Sequence, residues 1–392
     1  MKKLENPIKG RRQPDTKPSP GQWTAITRRA ALLCLTVALI VPVMPVFAGS
    51  RDVGGKKAFT CYTANAYDGA DLNPALSLDP TDPQYLQKLL GTVTQIYGQI
   101  VASDPPARLA GLAREIAVNR PEVAGLVEMW TLQKAPATAT GPGPFTTVFD
   151  WLQLLTNSLA AQGAYYQVAV VSTESDIIMP LVDIHTGGII YGRLTDHEVI
   201  LVRADLPPGY LRVSNPQTGK FATHIQIPSI GLSIDRGWCS VDVFTRGERF
   251  RFVCSHLEEE TVPAIQMAQA VELLAGPVDV ELPVILVGDF NADPLHRNGT
   301  VTYDAFVQAG FGDAWLTAHP TEPAAGLTWG HDPELADPSV AFKWRLDLVL
   351  YRGGEFHPVF VEVLDPGLGR TQPPFWPSDH AAVGASFSLG RN

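Results

Sequence analysis

The sequence predicts an α/β layered fold in one large domain. Many short apolar strands recur with helical stretches set between groups of them, and polar residues collect where those strands stop. In sheets covered by helices, ligands gather beyond strand ends, so the second observation also predicts where chemistry would sit. No internal repeat occurs, and no Pro- or Gly-rich stretch is long enough to separate domains. LPVILVGDFNADP, 282–294, shows the pattern plainly. Val284-Ile285-Leu286-Val287 reads as a buried strand that Gly288 ends. In extended backbone Asp289 and Asn291 project to one side and Phe290 to the other, so the phenylalanine anchors the strand end while an acid and an amide face outward together.

Taken in order, AFTCYTANAY alternates Phe59, Cys61, Thr63 and Asn65 on one face and predicts a strand ending at Asn65. DPQYLQKLLGTVTQIYGQI and PARLAGLAREIAVNRP carry helical spacing, the first with Asp82 as the expected cap ahead of Pro83. EVAGLVEMW predicts a strand that delivers Glu128 at its end, and FTTVFDWLQLLTNSLAAQG a helix. YYQVAVVSTES, HEVILVRADL, CSVDVFTR and ERFRFVCSHL predict strands, the last two joined by a hairpin turning on Arg246-Gly247. A helix over 264–274, the strand 283–290, a helix over 303–309, the strand KWRLDLVLYRG and a last strand from Ala381 complete the chain.

With 45% apolar and 18% charged residues, the chain is neither disordered nor membrane-filling. Its start differs. TRRAALLCLTVALIVPVMPVFAGS sets Arg28-Arg29 before an apolar run closing on Val46-Phe47-Ala48, the layout of a secretory signal cleaved after Ala48. An uncleaved anchor is the alternative, since 30–48 nearly reaches the ~20 residues a bilayer needs; Pro42 and Pro45 favour the signal. Thr27-Arg28-Arg29 also resembles a twin-arginine export signal, a pattern that a chance pair of arginines would equally produce. The expected product is secreted or periplasmic, lacks a transmembrane anchor after cleavage, and comprises a short segment 49–57 and a domain over 58–392. Residues 1–48 hold eight of the 30 Lys+Arg and two of the 40 Asp+Glu, leaving 22 against 38 and a net charge near −16. That balance argues against a sequence-independent grip on nucleic acid without excluding a nuclease, because local field and bound metal can outweigh net charge. Cys34 leaves with the signal. Of the remaining three cysteines, Cys239 and Cys254 would stand opposite each other across the hairpin, either as a disulfide or as two buried thiols. No Cys/His spacing suggests zinc.

Asn65, Glu128, His256, Asp289, Asn291, Asp347, Asp379 and His380 all fall at or near strand ends. Singly, each has an ordinary reading: Asp289 as a turn residue, Glu128 as a solvated end, Asn65 as a loop cap, SDHAAV as a solvated turn. Asp347 differs, because RLDLVLY places it in an apolar strand with Arg345 on the same face, and a buried acid needs a partner. That partner is either Arg345 or a histidine whose ring Asp347 orients.

Together, TANAY with Asn65, PEVAGLVEMW with Glu128, FVCSHLE with His256, VILVGDFNADP, GLTWG through KWRLDLVLY, and PSDHAAV resemble, in order, the motifs of the endonuclease/exonuclease/phosphatase superfamily. That superfamily includes pancreatic-type deoxyribonucleases, abasic-site endonucleases, neutral sphingomyelinases and inositol polyphosphate 5-phosphatases. The resemblance spans about 58–389. It implies a four-layer α/β sandwich, two packed central mixed β-sheets flanked by helices, and a divalent-metal-dependent phosphoesterase. In that likeness Asp289 and Asn291 hold and orient the attacking water and the phosphate oxygens. Glu128, with Asn65 and Asp379, corresponds to the metal site, where hard oxygen ligands suit Mg²⁺ or Mn²⁺ rather than zinc. His380 is general base or charge stabiliser, held in its tautomer by Asp347, and His256 donates to the phosphate.

The implied substrate is a phosphoester in a nucleic acid, a phospholipid or a small phosphate ester, with a diester favoured over a monoester and no stable protein partner. The alternative is a noncatalytic protein that holds a phosphorylated ligand on the same fold. A serine hydrolase is disfavoured by the absence of a GxSxG elbow. The sequence also departs from the family pattern: valine precedes Glu128 where many members carry glutamine, Trp130 stands where deoxyribonuclease-like members tend to have arginine, and 68–110 forms a longer helical insertion. Trp376 either lines the entrance or packs a Pro-rich loop, Lys343 and Arg345 are candidate phosphate contacts, and Asn298-Gly299-Thr300 is a glycosylation sequon.

Overall fold

The computed structural model describes residues 52–390 apart from 54–55, 338–340, 354–355, 365 and 372–374. The predicted leader over 1–48, its cleavage point and Cys34 lie outside the described residues.

In chain order, the two-residue strands β1 (Asp52–Val53) and β2 (Lys56–Lys57) precede β3 (Phe59–Asn65). Helices α1 (Asn73–Leu76), α2 (Tyr85–Ala102) and α3 (Pro105–Asn119) lead to β4 (Val123–Val127). Strands β5 (Thr131–Thr138), β6 (Gly141–Pro142) and β7 (Thr146–Asp150) lead to α4 (Trp151–Ala161). Next come the long β8 (Tyr166–Val182) and β9 (Ile189–Arg203), then β10 (Leu211–Lys220), the small hairpin β11 (Ile225–Ile227) and β12 (Leu232–Ile234), and β13 (Gly237–Thr245). The chain continues through β14 (Glu248–His256), α5 (Pro263–Ala275), β15 (Val284–Asp289), α6 (Thr302–Gln308), β16 (Gly312–Asp313) and α7 (Ala314–Ala318). It ends with β17 (Asp347–Arg352), β18 (Phe356–Val363) and β19 (Val383–Leu389).

Two large sheets result. One runs β18-β19-β3-β4-β9-β5-β6, with β7 added on β5 and β8 on β9; the other runs β10-β13-β14-β15-β17-β16. Period-two alternation sorts their side chains into layers. Phe59, Cys61, Val123 and Val127 of the first sheet meet Val241, Phe252, Cys254, Val287 and Val349 of the second in one buried core. Their neighbours Tyr62, Ala64, Ala124 and Leu126 face the other way, into Leu112 and Ile116 of α3 and Leu155 of α4. Val253, Leu286 and Leu348 likewise turn outward onto Ala270 and Leu273 of α5 and Phe306 of α6. The layers are therefore helix, sheet, sheet, helix. Gly125 permits the closest approach of the sheets: a Cβ there would lie 2.6 Å from Val287 Cγ2 and 3.0 Å from Cys254 Cβ.

The registers bring the chemistry to one end. Parallel pairing sets Asn65 opposite Val127, and His256 opposite Asp289. Antiparallel pairing sets Asp289 opposite Asp347, and Val383, at the start of β19, opposite Thr63. Strand ends from both sheets thus converge on one rim.

Several expectations need correction. FTTVFD is not helical: Thr146–Asp150 is strand β7, and α4 starts only after Asp150, whose Oδ1 accepts from Gln153 N at 3.0 Å. β-Branched Thr146, Thr147 and Val148 favour extended backbone, and the aspartate supplies the cap. Asp82 does not cap α2, whose N-cap is Gln84; it accepts from Gln84 N at 2.7 Å within the turn ahead of the helix. The strand predicted from KWR begins only at Asp347. Strands β5, β10, β11, β12 and β18 had no clean alternation to reveal them; β10, for example, is mostly exposed. The hairpin turn is as expected, with Arg246 and Gly247 both at positive φ (54° and 88°) and Cys239 opposite Cys254. Of the two alternatives for that pair, these are buried free thiols. Among the described residues, no helix is long and apolar enough to cross a membrane.

Candidate active site

Asn65 joins the two sheets at this rim. Its Nδ2 donates to Glu128 Oε1 at 3.0 Å and to Asp289 Oδ2 at 3.2 Å, while its Oδ1 accepts from Tyr67 N at 2.8 Å. Glu128 sits just past β4 with φ +56°, and its Oε2 accepts from Trp130 Nε1 at 3.3 Å. Asn291 (φ +49°) and Tyr67 (φ +57°) share that unusual backbone region. Such conformations cost ~1–3 kcal/mol each and persist only where the surroundings enforce them, so three neighbouring instances mark a rim built for side-chain placement.

Asp289 lies at the centre. Its Oδ1 accepts from Asn291 N at 2.9 Å, while Phe290 packs beneath, its ring 5.1 Å from that of Phe306. Two histidines flank its other oxygen: His256 Nε2 and His380 Nε2 each lie 3.6 Å from Asp289 Oδ2. Their far nitrogens meet opposite partners. His380 Nδ1 is 2.7 Å from Asp347 Oδ2, the histidine alternative for that acid. His256 Nδ1 is 2.9 Å from Arg236 Nη1, a group that can only donate. Nδ1 of His256 is therefore the acceptor, and its proton sits on Nε2, facing Asp289.

The charge states diverge for the same reason. Burial works against a charged His380, but Asp347, Asp379 and Asp289 outweigh it and hold this histidine well above its ordinary range. Burial pushes His256 well below that range, and Arg236 and His380 add to the effect. Burial also raises Asp289, against the pull of His380 and with the push of Asp347. The histidines on either side of Asp289 are thus pushed in opposite directions. Asn291 completes this wall, its Nδ2 donating to Leu257 O at 3.0 Å and lying 3.3 Å from His256 Nε2.

A second group of acids collects around Glu128. Burial raises Asp379 to about 6, against the pull of His380 and with the push of Glu128 and Asp289. Asp379 Oδ2 accepts from Trp329 Nε1 at 3.3 Å. Asp68, which no periodicity singled out, is 3% exposed, and burial and then Glu128 lift it well above the carboxylate range. Close carboxylates that disfavour one another's charge are what a divalent cation relieves, so the donor set fits a hard metal ion. Asp289, Asp347 and His380 also place one ligand atom each within 4.8 Å of one another. Among the described residues this trio meets that spacing, whereas Glu128, Asp379 and Asp68 stand farther apart, so the Glu128 group fits a metal by the chemistry of its oxygen donors rather than by a closed geometry.

Arg345 does not pair with Asp347. It forms a two-pronged contact with Asp313, at 3.1 and 2.8 Å, because it precedes the start of β17 and strand alternation does not govern it. That pairing also removes Arg345 as a phosphate contact. Lys343 lies over the Trp329 ring at 5.3 Å. Trp376 is buried and stacks on His331 with centroids 4.4 Å apart, so it backs a cleft residue rather than lining the entrance. The cleft that holds Glu128, His256, Asp289, Asn291, Asp379 and His380 has a volume of about 910 Å³, and residues 70–73 and 75–76 together with one face of α2 form part of its wall. Arg236 and Asp68 were the site residues not legible beforehand. Arg236 owes its importance to partners 40 and 20 positions away, Asp196 and His256.

The chain matches the sequence profile of the Endonuclease/Exonuclease/phosphatase family over residues 96–380. Among solved structures it is similar to an endonuclease/exonuclease/phosphatase family protein from Leptotrichia buccalis, at 16% identity and TM-score 0.51, covering 85% of this chain and 100% of that one. It is also similar to a protein of the same family description from Bacteroides thetaiotaomicron, at 17% identity and TM-score 0.50, covering 86% and 99%. No match was found among curated proteins. These likenesses show a shared fold, and the profile covers well over half of the chain, taking in every site residue except Asn65 and Asp68. With the four-layer sandwich and the rim of acids and histidines already described, this chain belongs to the endonuclease/exonuclease/phosphatase family, whose named activities all cleave phosphoester bonds.

Proposed function

We propose that this protein is an exported, divalent-metal-dependent phosphoesterase, with a phosphodiester as the favoured substrate. The observation that carries the reading is geometric: two histidines each lie 3.6 Å from Asp289 Oδ2, one backed by Asp347 at 2.7 Å and the other by Arg236 at 2.9 Å. Groups whose surroundings push their proton affinities apart divide acid and base roles between them. In this reading Asp289 and Asn291 orient the attacking water, and Asp289 takes its proton. His380, kept as an imidazolium by Asp347, faces the negative charge that develops on the phosphate oxygens. His256 donates from Nε2 to the same group, its ring fixed by Arg236. Glu128 and Asp379, with Asn65 beside them, would hold Mg²⁺ or Mn²⁺, which supplies Lewis-acid polarisation of the phosphoryl oxygen when bound. Each preorganised contact of this kind is worth about 2.7–4 kcal/mol of barrier. The basic n-region and apolar run ahead of Ala48 support export to the periplasm or medium.

The test is hydrolysis of bis-p-nitrophenyl phosphate and p-nitrophenyl phosphate with Mg²⁺, Mn²⁺ or chelator, alongside His380→Ala. Metal-dependent release from the diester, abolished by the substitution, is the expected result. Release from the monoester alone would make the protein a phosphatase, and silence on both by folded protein would favour a phospholigand-binding role.

A further inference from the structure

The cleft extends well beyond its reactive rim, and away from that rim its character changes. One wall is α2, with Tyr97 and Ile100; another is β8, with Met179 and Leu181; a third is the β11–β12 hairpin, with Ile227 and Leu232. Tyr97, Met179, Ile227 and Leu232 are only half-buried, so they keep apolar surface turned to a concavity rather than to a core. Leu132 and Trp130 connect these walls to Glu128 within the same cleft. The charged lining would repel a polyanion. Asp68, Asp71, Asp332 and the run Glu258–Glu260 all border the cleft. Of its Lys and Arg residues, Arg193 is neutralised by a two-pronged contact with Asp176 at 2.7 and 2.6 Å, Arg236 is engaged with His256, Asp196 and Glu258, and Lys343, over the Trp329 ring at 5.3 Å, is a single cation that can meet one phosphate. A strand of nucleic acid would bring further phosphates against these acids, whereas a single phosphoester followed by hydrocarbon would meet the reactive rim and then the apolar walls.

We propose that the substrate is an amphiphilic phosphoester whose hydrocarbon chain lies against the apolar walls formed by α2, β8 and the β11–β12 hairpin while its phosphate sits at the His380 rim. This rests on the phosphoesterase reading for its chemistry, but the apolar recognition can be measured separately. Each methylene moved from water into the groove stabilises by about 0.8 kcal/mol, roughly a fourfold gain.

The experiment compares methyl, octyl and thymidine 5′-(p-nitrophenyl) phosphate diesters on the full-length protein with Mg²⁺, the octyl ester kept below its micelle concentration. Calorimetric binding of methyl phosphate and octyl phosphate runs in parallel. Three methylenes buried at roughly fourfold each give kcat/KM about sixtyfold higher for the octyl than for the methyl ester. Octyl phosphate should bind more tightly than methyl phosphate by a similar factor. Ile227→Gln and Met179→Gln, half-buried positions outside the reactive rim, should lower the octyl-to-methyl ratio and leave the methyl ester unchanged. Turnover that ignores chain length, prefers the thymidine ester, or keeps its ratio in both variants would overturn the proposal. If no ester is cleaved but octyl phosphate binds more tightly in a manner that both variants weaken, the groove stands and the phosphoesterase reading falls. Chain-independent binding with no turnover would remove both.

Discussion

Asp347→Asn isolates the contact on which the charge state of His380 depends. Asp347 is 1% exposed and His380 7%, and the atoms that meet are 2.7 Å apart. The other carboxylate oxygen, Oδ1, is buried with no hydrogen-bond partner among the described residues, so the carboxylate is committed to the histidine. The backbone N–H of Asp347 donates to Thr328 Oγ1 at 3.1 Å, and asparagine keeps that bond, so the strand end should hold its place. What is lost is at most one charge-assisted hydrogen bond, about 1.5–3 kcal/mol. If His380 acts as an imidazolium in the transition state, that loss lowers kcat by roughly 10- to 150-fold. Because folded His380 holds its proton more tightly than it would unfolded, the contact stabilises the fold fully below about pH 6.5, and this gain disappears as pH rises through the folded-state value. In chelator, Asp347→Asn should therefore cost about 1.5–3 kcal/mol near pH 6 and less in alkali. The assays are kcat for bis-p-nitrophenyl phosphate with Mg²⁺, urea unfolding at several pH values, and an NMR titration of the His380 ring. A variant with kcat close to that of the parent protein, or a ring that titrates identically in both, would refute the argument.

Other substitutions probe the rest of the structure. Arg236→Met leaves Asp196 and Glu258 without the buried cation that lies 3.3 and 3.5 Å from them, and should cost about 3–5 kcal/mol in urea unfolding; an unchanged midpoint would mean that the network contributes nothing. Gly125→Ala forces a methyl group to within 2.6 Å of Val287 between the sheets, and overpacking of this kind costs about 1–3 kcal/mol. The same unfolding measurement checks it, with no loss as the contrary result. Asp68→Asn removes a carboxyl whose charged form is disfavoured by burial and then by Glu128, so in chelator at alkaline pH it should raise Tm, and the further rise on adding Mg²⁺ should shrink. A lower Tm in chelator would show that Asp68 is not strained by its neighbours.

Much of the site could be read in the chain because its residues hang on strand ends, and strand ends announce themselves. An apolar run, a glycine and then polar residues located Asp289 and Asn291, and the same logic located Asn65, Glu128 and His256. The burial of both faces of β4 and β15 explains why these runs looked continuous rather than amphipathic. The two-residue turn at Arg246-Gly247 was equally local, since it depends on which residues tolerate positive φ. Misreadings arose where local rules lapse. Alternation put Arg345 and Asp347 on one face, yet only the second residue belongs to the strand.

The sequence by itself therefore determined the buried central strands of both sheets and which polar residues stand at their ends. Tertiary structure chose His380 over Arg345 for Asp347, and it alone supplied Asp313 for Arg345 and Arg236 rather than a carboxylate behind His256. It also assembled the apolar walls of the cleft from three segments far apart in the chain. The physical reason is that backbone preference and alternation act over a few residues, whereas pairing between buried charges depends on distances of a few ångströms across sheets. Those distances exist only once β14, β15 and β17 have aligned in register beside β3 and β4.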